Sequence, residues 1–284
     1  MALPPLQPVP QAPNWPSASS TWTEEDGALH PDWLLPDWAA PHARAFMTTR
    51  AGGQSSGMYD SCNVGTYVQD DPAVVALNRQ RVAAAAGGSP IFLQQVHGAE
   101  VLHLSTAHLS GGAALRADAA ISTDPRLACA IQVADCLPVL FAAPGAVGAA
   151  HAGWRGLAAG VLERTAAALC AASGCAESAL QVWLGPCIGP AAFEVGADVL
   201  QALGLPVVRH DQPLCRFQVN EQGQDRWRLD LAGLARLRLQ AVGVKHISGG
   251  HWCTYSQPSR FFSFRRSPPS GRMAAVVRLL GSQG

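Results

Sequence analysis

Four short apolar segments follow one another between residues 117 and 150, and they constrain the fold more than any other part of the chain. They cover residues 117–123, 127–133, 138–142 and 146–150. Segments of this length, bounded by turn-forming residues, are typical of buried β-strands. The sequence Ala143-Pro144-Gly145 between the last two predicts a hairpin. We therefore expect these segments to form the centre of a largely antiparallel sheet.

Periodic segments on both sides of this centre predict helices. One begins at Asp71-Pro72 and ends at Gly87-Gly88, a second covers 157–172, and a third runs from the N-cap residue Asp230 to Gly243. Further strands are predicted at 43–49, 90–96, 100–104, 180–184, 246–248, 261–264 and 274–279, whereas 209–225 is expected to be an irregular surface segment. The strand at 100–104 is expected to pair with the strand at 90–96. The pattern predicts a single-domain mixed α/β sandwich with a largely antiparallel sheet and flanking helices.

Composition places the chain among globular proteins. Hydrophobic residues make up 48% of the 284 residues and charged residues 14%, which is enough apolar material for one well-buried core. Lys+Arg and Asp+Glu number 20 each, so the balance of charge does not indicate nucleic acid as a partner. No stretch of about 18 apolar residues occurs, so no membrane partner is expected.

The amino-terminal segment differs in composition from the rest. Residues 1–30 are rich in Pro, Ser and Trp and show no periodicity, so we expect a poorly ordered extension before a domain at 31–284. The segment has neither the basic nor the apolar region of a secretory signal. The eight scattered cysteines are therefore expected to be reduced thiols in a cytoplasmic protein.

Three side chains near the ends of predicted strands could bind a metal ion. They are His97, Cys136 and His151. Two imidazoles and a thiolate make a three-ligand zinc set, which leaves a fourth position for water or substrate. Their separations match no short metal motif, so a second interpretation stays open: a buried structural His97, a core Cys136 and a capping His151.

Cys136 could instead be a nucleophile. His97 or His151 would act as its base, and Asp135 would orient the histidine. Flanking imidazoles would lower the pKa of the thiol in either case. The metal and nucleophile interpretations therefore compete for the same sulfur atom.

Two glycine-rich turns could hold an anion. Arg50 begins the sequence RAGG, whose backbone N–H groups could form an anion-binding nest. Arg155 lies in the sequence HAGWRG at the start of a predicted helix, where anions are favoured. Plain turns with solvated arginines are the alternative. Arg50, Asn63 and Trp154 are the candidate substrate contacts, and Arg155 is a candidate for stabilising a transition-state oxyanion.

Ten motifs occur in one order along the chain and carry a family resemblance. They are MTTRAGG (47–53), NVG (63–65), NRQRV (78–82), QQVHG (94–98), ADA (117–119), ADCLPVL (134–140), HAGWRG (151–156), GPCIGP (185–190), CTYS (253–256) and FFSFRR…SGRMA (261–274). Together they resemble the laccase-domain, YfiH-like family, which includes bacterial peptidoglycan editing factors and proteins named polyphenol oxidases. The similarity covers about residues 38–280.

This resemblance implies a single α/β sandwich domain with a zinc ion bound by His97, Cys136 and His151. It also implies phosphorolysis of adenosine, inosine and methylthioadenosine, together with adenosine deaminase activity. The implied partners are a nucleoside and phosphate, Cu²⁺ is the alternative to Zn²⁺, and a monomer or weak homodimer is expected. Cys136, Asp135 and Arg155 are the candidate catalytic residues. The assignment of phosphate to Arg50 and Arg155 is our inference from the residues.

Three alternative functions would place different requirements on the chain. A peptidoglycan editing hydrolase would act on a mis-incorporated amino acid in UDP-MurNAc precursors, with Cys136 as nucleophile or zinc-activated water as attacker. A multicopper laccase needs about ten histidines in paired arrangements, whereas the chain has nine and no His-x-His pair, so laccase activity is rejected as primary. A non-enzymatic metal-stabilised scaffold would require a closed four-ligand site.

Overall fold

The computed structural model of the protein describes residues 29–110 and 114–281. The strands in this part are β1 (Ala43–Met47), β2 (Ser89–Phe92), β3 (Val101–His103), β4 (Ala119–Ser122), β5 (Leu127–Val133), β6 (Leu137–Ala143), β7 (Ala146–Ala152), β8 (Gln181–Leu184), β9 (Glu194–Val195), β10 (Cys215–Val219), β11 (Asp225–Leu229), β12 (His246–Gly249) and β13 (Met273–Leu279). The helices are α1 (Pro72–Ala86), α2 (Trp154–Ala158), α3 (Val161–Ser173), α4 (Ala197–Ala202) and α5 (Leu231–Ala241).

The strands form three sheets, of which two make the body of the molecule. The larger has the order β12-β8-β6-β7-β4-β3, the second β1-β13-β5-β2, and a small sheet has the order β10-β11-β9. Most pairs are antiparallel, and the parallel ones are β12–β8, β3–β4 and β2–β5. The predicted mixed α/β architecture with largely antiparallel sheets is confirmed.

Alternating side chains explain why the two large sheets stack. In β6, Leu140 packs towards the four-stranded sheet, whereas Val139 and Phe141 pack with α3 and α5 on the other side. The outer face of the four-stranded sheet, including Phe46 and Val276, packs against α1. Every residue of β6 and β7 is buried, as expected for strands covered on both faces. The order of layers is helix, sheet, sheet, helices.

Two helices begin where the sequence predicts them. The Asp71 carboxylate accepts a hydrogen bond from the N–H of Ala73 at the start of α1, and Asp230 accepts one from Gly233 at the start of α5. Both contacts satisfy backbone donors that the first helical turn leaves free. Gly87 ends α1 in the left-handed conformation, with φ of 63°.

Four local predictions are wrong, and each has a local cause. The helix expected over 157–172 is divided into α2 and α3, because Gly160 has a φ of 82°. The segment 209–225 contains β10 and leads into β11, a hairpin whose turn is closed by the Asn220 carboxamide. Strand β3 pairs with β4 in the larger sheet, because the chain leaves β2 through a loop that is bound to Asp118. Residues 261–264 form a loop, in which the carbonyl of Phe261 accepts a hydrogen bond from the Arg266 guanidinium instead of from a neighbouring strand.

Most of the predicted amino-terminal extension lies outside the described residues. Its last two residues, Leu29 and His30, are described, and Leu29 packs against the cluster beside α1. Among the described residues, no helix is both long and apolar enough to cross a membrane.

Candidate metal centre

The structure brings His97, Cys136 and His151 together at one end of the β6–β7 hairpin. One ligand atom from each side chain lies within 4.8 Å of the others. Pro138 pairs with His151 across the hairpin, so Cys136, just before β6, lies beside the end of β7. His97 arrives on the loop after β2, and its ring centroid is 4.8 Å from that of His151. Residues far apart in sequence therefore present two nitrogens and a sulfur to one point.

The backbone at this cluster has an unusual conformation. Among the described residues, His97 (φ 60°) and Asp135 (φ 95°) are the two that combine a side chain with a positive φ. Such conformations are rare outside glycine and tend to cluster at functional sites. They fall at one candidate ligand, His97, and at the residue directly before another, Cys136.

Asp118 connects two of the three ligands. Its Oδ1 accepts hydrogen bonds from the His97 N–H (2.9 Å) and from His151 Nδ1 (2.8 Å). Its Oδ2 accepts from the N–H groups of Gly98 (2.7 Å) and Val96 (3.1 Å). A carboxylate requires a proton on His151 Nδ1, which leaves Nε2 for a metal ion. This role of Asp118 was not predicted from the sequence, although a carboxylate inside the apolar segment 117–123 was its visible signal.

The charges of the cluster depend on one another. Burial raises the pKa of Cys136, but the charge on His151 and hydrogen bonds from His151 and His97 lower it to about 6. Burial lowers the pKa of His151, but Cys136 and Asp118 raise it to about 9. Burial raises the pKa of Asp118, but His151 and the hydrogen bonds from backbone N–H groups lower it by more. Asp118 therefore stays ionised. The site therefore holds its sulfur ready as a thiolate near neutral pH.

The space between these residues fits a metal ion. A Cβ at Gly153 would lie 3.0 Å from the Cys136 sulfur and 3.4 Å from His97 Cδ2, so any side chain there would enter the cluster. The donor set of two imidazoles and a thiolate suits Zn²⁺ or Cu²⁺. In the described part of the chain, no fourth His, Cys, Asp or Glu belongs to the group. The arrangement matches an open, three-ligand centre.

Alkylation of metal-free protein by iodoacetamide is expected to select Cys136. With a pKa of about 6, roughly nine-tenths of this sulfur is thiolate at pH 7. Because the thiolate is the reactive form and Cys136 loses its proton at a lower pH than an ordinary thiol, its labelling rate should rise with pH through about 6. Peptide mass spectrometry gives the profile for each cysteine. Cys62, whose pKa burial raises to about 12, is the internal control, and a Cys136 midpoint near 9 would contradict this electrostatic account.

A cavity of about 600 Å³ opens from the cluster. Its volume is typical of small-molecule sites. Besides His97, Cys136 and His151, its wall carries three guanidinium groups, aromatic rings and carboxamides. These groups belong to Tyr67, Gln94, Gln132, Trp154, Arg155, Phe193, Phe264, Arg265 and Arg272.

Of the predicted substrate and catalytic residues, Trp154 and Arg155 line this cavity. The Arg155 guanidinium is exposed and lies 4.4 Å from the centre of the Trp154 ring. Helix α2, which they begin, has only five residues, so the side chain rather than the helix supplies positive charge there.

Asp135 also lines the cavity, but its carboxylate does not orient a histidine. It accepts hydrogen bonds from the Thr254 hydroxyl (2.6 Å) and from the N–H of Arg265 (2.7 Å). The partner that orients His151 is Asp118 instead. Asp135 thus joins the turn before Cys136 to two later loops.

Arg50 and Asn63 lie outside the lining of the cavity. The Arg50 guanidinium donates to the carbonyls of Asp60 and Pro258 and lies over the Phe262 ring. Asn63 is fully buried, and its Oδ1 accepts from the N–H groups of Gly65 and Arg272. These contacts connect loops, and a direct contact of either residue with substrate stays a prediction.

Comparison with known proteins gives consistent matches along this domain. The family described as multi-copper polyphenol oxidoreductase laccase matches residues 44–280. Purine nucleoside phosphorylase PA4543 of Pseudomonas aeruginosa is 46% identical over 250 residues, which is 87% of this chain and 98% of that protein. Purine nucleoside phosphorylase YfiH of Escherichia coli K12 is 44% identical over 252 residues, with the same two coverages.

Solved structures show the same fold. The crystal structure of NMB0706 from Neisseria meningitidis superposes with a TM-score of 0.78 at 40% identity, covering 88% of this chain and 100% of that one. The structure of YlmD from Geobacillus stearothermophilus gives 0.76 at 32% identity, with coverages of 88% and 99%.

Proposed function

This chain belongs to the multi-copper polyphenol oxidoreductase laccase family, and we propose that it is a purine nucleoside phosphorylase that works at the His97–Cys136–His151 cluster. The observation that carries the proposal is the cavity itself. One space of about 600 Å³ contains a three-donor metal cluster, cationic groups for phosphate and aromatic rings for a purine. Relatives with the name purine nucleoside phosphorylase align over 98% of their own length, which supports the same assignment.

The purine would bind at the aromatic part of the wall. Tyr67 and Phe264 line the cavity and are 76% and 51% exposed, so their rings are accessible to a ligand. Flat rings stack on purine bases and tolerate different substituents. The Gln132 side chain already accepts from Arg79, whereas in the described structure Gln94 has no side-chain hydrogen bond. A carboxamide both donates and accepts, so Gln94 could pair with the edge of adenine or of hypoxanthine.

Phosphorolysis then requires an anion beside the ribose. A phosphate oxygen attacks C1′, the bond from C1′ to the purine nitrogen breaks, and the base leaves with a proton. Arg155, Arg265 and Arg272 line the cavity and can hold and neutralise the phosphate oxygens. Walls formed by Trp154 and Phe193 would reduce access of water, which would otherwise compete with phosphate as nucleophile.

We propose Zn²⁺ as the ion of the cluster, with Cu²⁺ as the alternative. His151 through Nε2, His97 and the Cys136 thiolate would hold it, and Asp118 would keep His151 in the required tautomer. When bound, the ion supplies a Lewis acid at the wall of the cavity. Its three protein donors leave room for a further ligand, which favours hydrolytic deamination of adenosine as a second activity of the site. All eight cysteines are free, which supports our placement of the enzyme in the cytoplasm.

Incubation of metal-quantified protein with adenosine, with and without phosphate, tests the proposal. We expect adenine that forms only when phosphate is present, and inosine if the site also deaminates. Inosine and methylthioadenosine should give phosphate-dependent hypoxanthine and methylthioadenine, and chromatography separates all these products. If zinc-loaded protein forms none of them, the phosphorylase assignment fails and hydrolysis of muropeptide precursors becomes the reaction to assay.

A further inference from the structure

Arg272 stands immediately before β13 and is held in place on several sides. Its N–H donates to the Asn63 Oδ1 (2.8 Å), and its Nη1 donates to the carbonyl of Ser270 (2.7 Å). A Cβ on Gly65 would lie 2.8 Å from its Cγ, so the absence of a side chain at 65 leaves the space for this arginine. Two buried loops therefore fix the Arg272 stem before any ligand arrives.

Arg272 forms no salt bridge among the described residues, although the nearby Cys136 and Asp135 favour its charge. No ion pair within the described residues includes Arg155, Arg265 or Arg272. Asp135 is the carboxylate of the cavity wall, and the Thr254 hydroxyl and a backbone N–H already bind its two oxygens. Burial also lowers the pKa of the Arg272 guanidinium, the expected direction for a cation removed from water. A half-buried cation in this state is stabilised by an incoming anion.

Arg265 adds a second guanidinium to the wall of the cavity. Its backbone N–H is bound to Asp135, the neighbour of Cys136, and its Nη1 donates to the carbonyl of Glu194. The adjacent Arg266 differs, because its guanidinium donates to the carbonyls of Thr254, Tyr255 and Phe261. These bonds hold the loop together. Of this arginine pair, Arg265 is therefore the one whose charge faces a ligand.

We propose that Arg272, together with Arg265, forms the phosphate-binding subsite of the cavity, with inorganic phosphate as its ligand. The proposal rests on the phosphorylase function proposed above, and it names the residues that select the second substrate. Planar guanidinium groups bind tetrahedral oxyanions through two parallel hydrogen bonds. Within the described residues, Nε and Nη2 of Arg272 make no hydrogen bond to the protein, and these two groups form one such pair.

Steady-state kinetics of the metal-loaded enzyme test this subsite. Arg272→Gln should raise the KM for phosphate by about 10- to 100-fold, the usual effect of losing a charged hydrogen bond. The KM for adenosine should change far less. Arg272→Lys should recover part of the loss, because it restores the charge without the fork. Arg209→Gln is the matched control, since Arg209 is exposed and pairs with Asp225 outside the cavity.

Equilibrium binding separates this proposal from the assignment of function. Calorimetric titration of metal-loaded protein with sodium phosphate should show binding that Arg272→Gln weakens. If this is seen but no nucleoside is cleaved, the phosphate-binding subsite is supported and the phosphorylase function is contradicted. If Arg272→Gln still carries out phosphorolysis with an unchanged KM for phosphate, the proposed subsite is contradicted and the proposed function stands. If Arg272→Gln loses the binding of AMP but keeps the binding of inorganic phosphate, the assignment of inorganic phosphate as the ligand is overturned.

A second variant guards against misfolding of Arg272→Gln. Gly65→Ala leaves the arginine charged but places a methyl group 2.8 Å from its Cγ, so the guanidinium must shift. We expect a smaller rise in phosphate KM, in the same direction. Unchanged phosphate binding in folded Gly65→Ala and Arg265→Gln proteins would contradict the proposal.

Discussion

Cys136→Ala is expected to abolish metal binding and to reduce nucleoside cleavage to background. The change removes the single sulfur of a three-donor cluster and leaves two imidazoles, of which His97 is exposed. Loss of an outer-shell partner costs about 10- to 100-fold in metal affinity, and loss of a ligand should exceed that. The fold should survive, because Cys136 lies at the edge of a cavity and the core strands β6 and β7 are unaltered. Metal content by mass spectrometry and circular dichroism measure the two effects.

Cys170→Ala is the matched control for this experiment. Cys170 is also half-buried, but it lies on α3 outside the metal cluster. It should keep its metal and its activity. A Cys136→Ala protein that is metal-loaded and active would refute the assignment of the site.

Asp118→Asn is expected to give the second large effect, although it changes neither shape nor any metal ligand. Both oxygens of Asp118 accept two hydrogen bonds each, and an amide nitrogen in place of one oxygen would face donors. The buried partner of His151 also loses its charge. We expect metal affinity to fall by about 10- to 100-fold, and the free energy of unfolding of the metal-free protein to fall by about 3–5 kcal/mol. Competition with a chelator and urea denaturation give the two values.

Asp124→Asn is the control for Asp118→Asn. Asp124 lies just after β4, as Asp118 lies just before it, and it also forms a close ion pair. Its partner is the exposed Arg126, and neither Asp124 nor Arg126 lines the cavity. Its metal affinity should equal that of the natural chain. Equal metal affinity in Asp118→Asn would mean that the carboxylate supports the fold without tuning the ligands.

The central strands could be predicted from sequence because their signal is strong. The segments around β5, β6 and β7 are continuous, short and apolar, since both faces of each strand are covered. The Pro144-Gly145 turn then fixes the hairpin. Helices α1 and α5 each carry an aspartate cap, which is a local signal that needs no knowledge of the rest of the fold.

Pairing between distant segments could not be predicted in the same way. Strand β3 is three residues long and half-exposed, so its partner is decided by the path of the loop before it. The hairpin of β10 and β11 has few buried positions and reads as a polar surface segment. Residues 261–264 are apolar like a strand, but their backbone is bound locally: the Phe261 carbonyl accepts from Arg266 and the Ser263 carbonyl accepts from the N–H of Ser267.

The same division holds at the site. His97, Cys136 and His151 could be proposed as a group because few residue types bind metals, and the resemblance to a family then favoured the metal interpretation over the alternatives. The contribution of Arg272 could not be found, since it depends on Asn63 and Gly65, about 200 residues earlier in the chain. Asp118 was visible as a motif, but its role is set by hydrogen bonds that sequence does not reveal.

The hydrogen bonds of Asp118 make two ligands move as one. Residues 96–98 cannot swing away from the cavity without removing three N–H groups from this carboxylate, and the same movement disturbs the acceptor of His151. We therefore expect an ion held by this cluster to leave His97 and His151 in one concerted event rather than one ligand at a time. Its exchange should be slow, because it requires a buried polar network to open, even though the centre is open on one side.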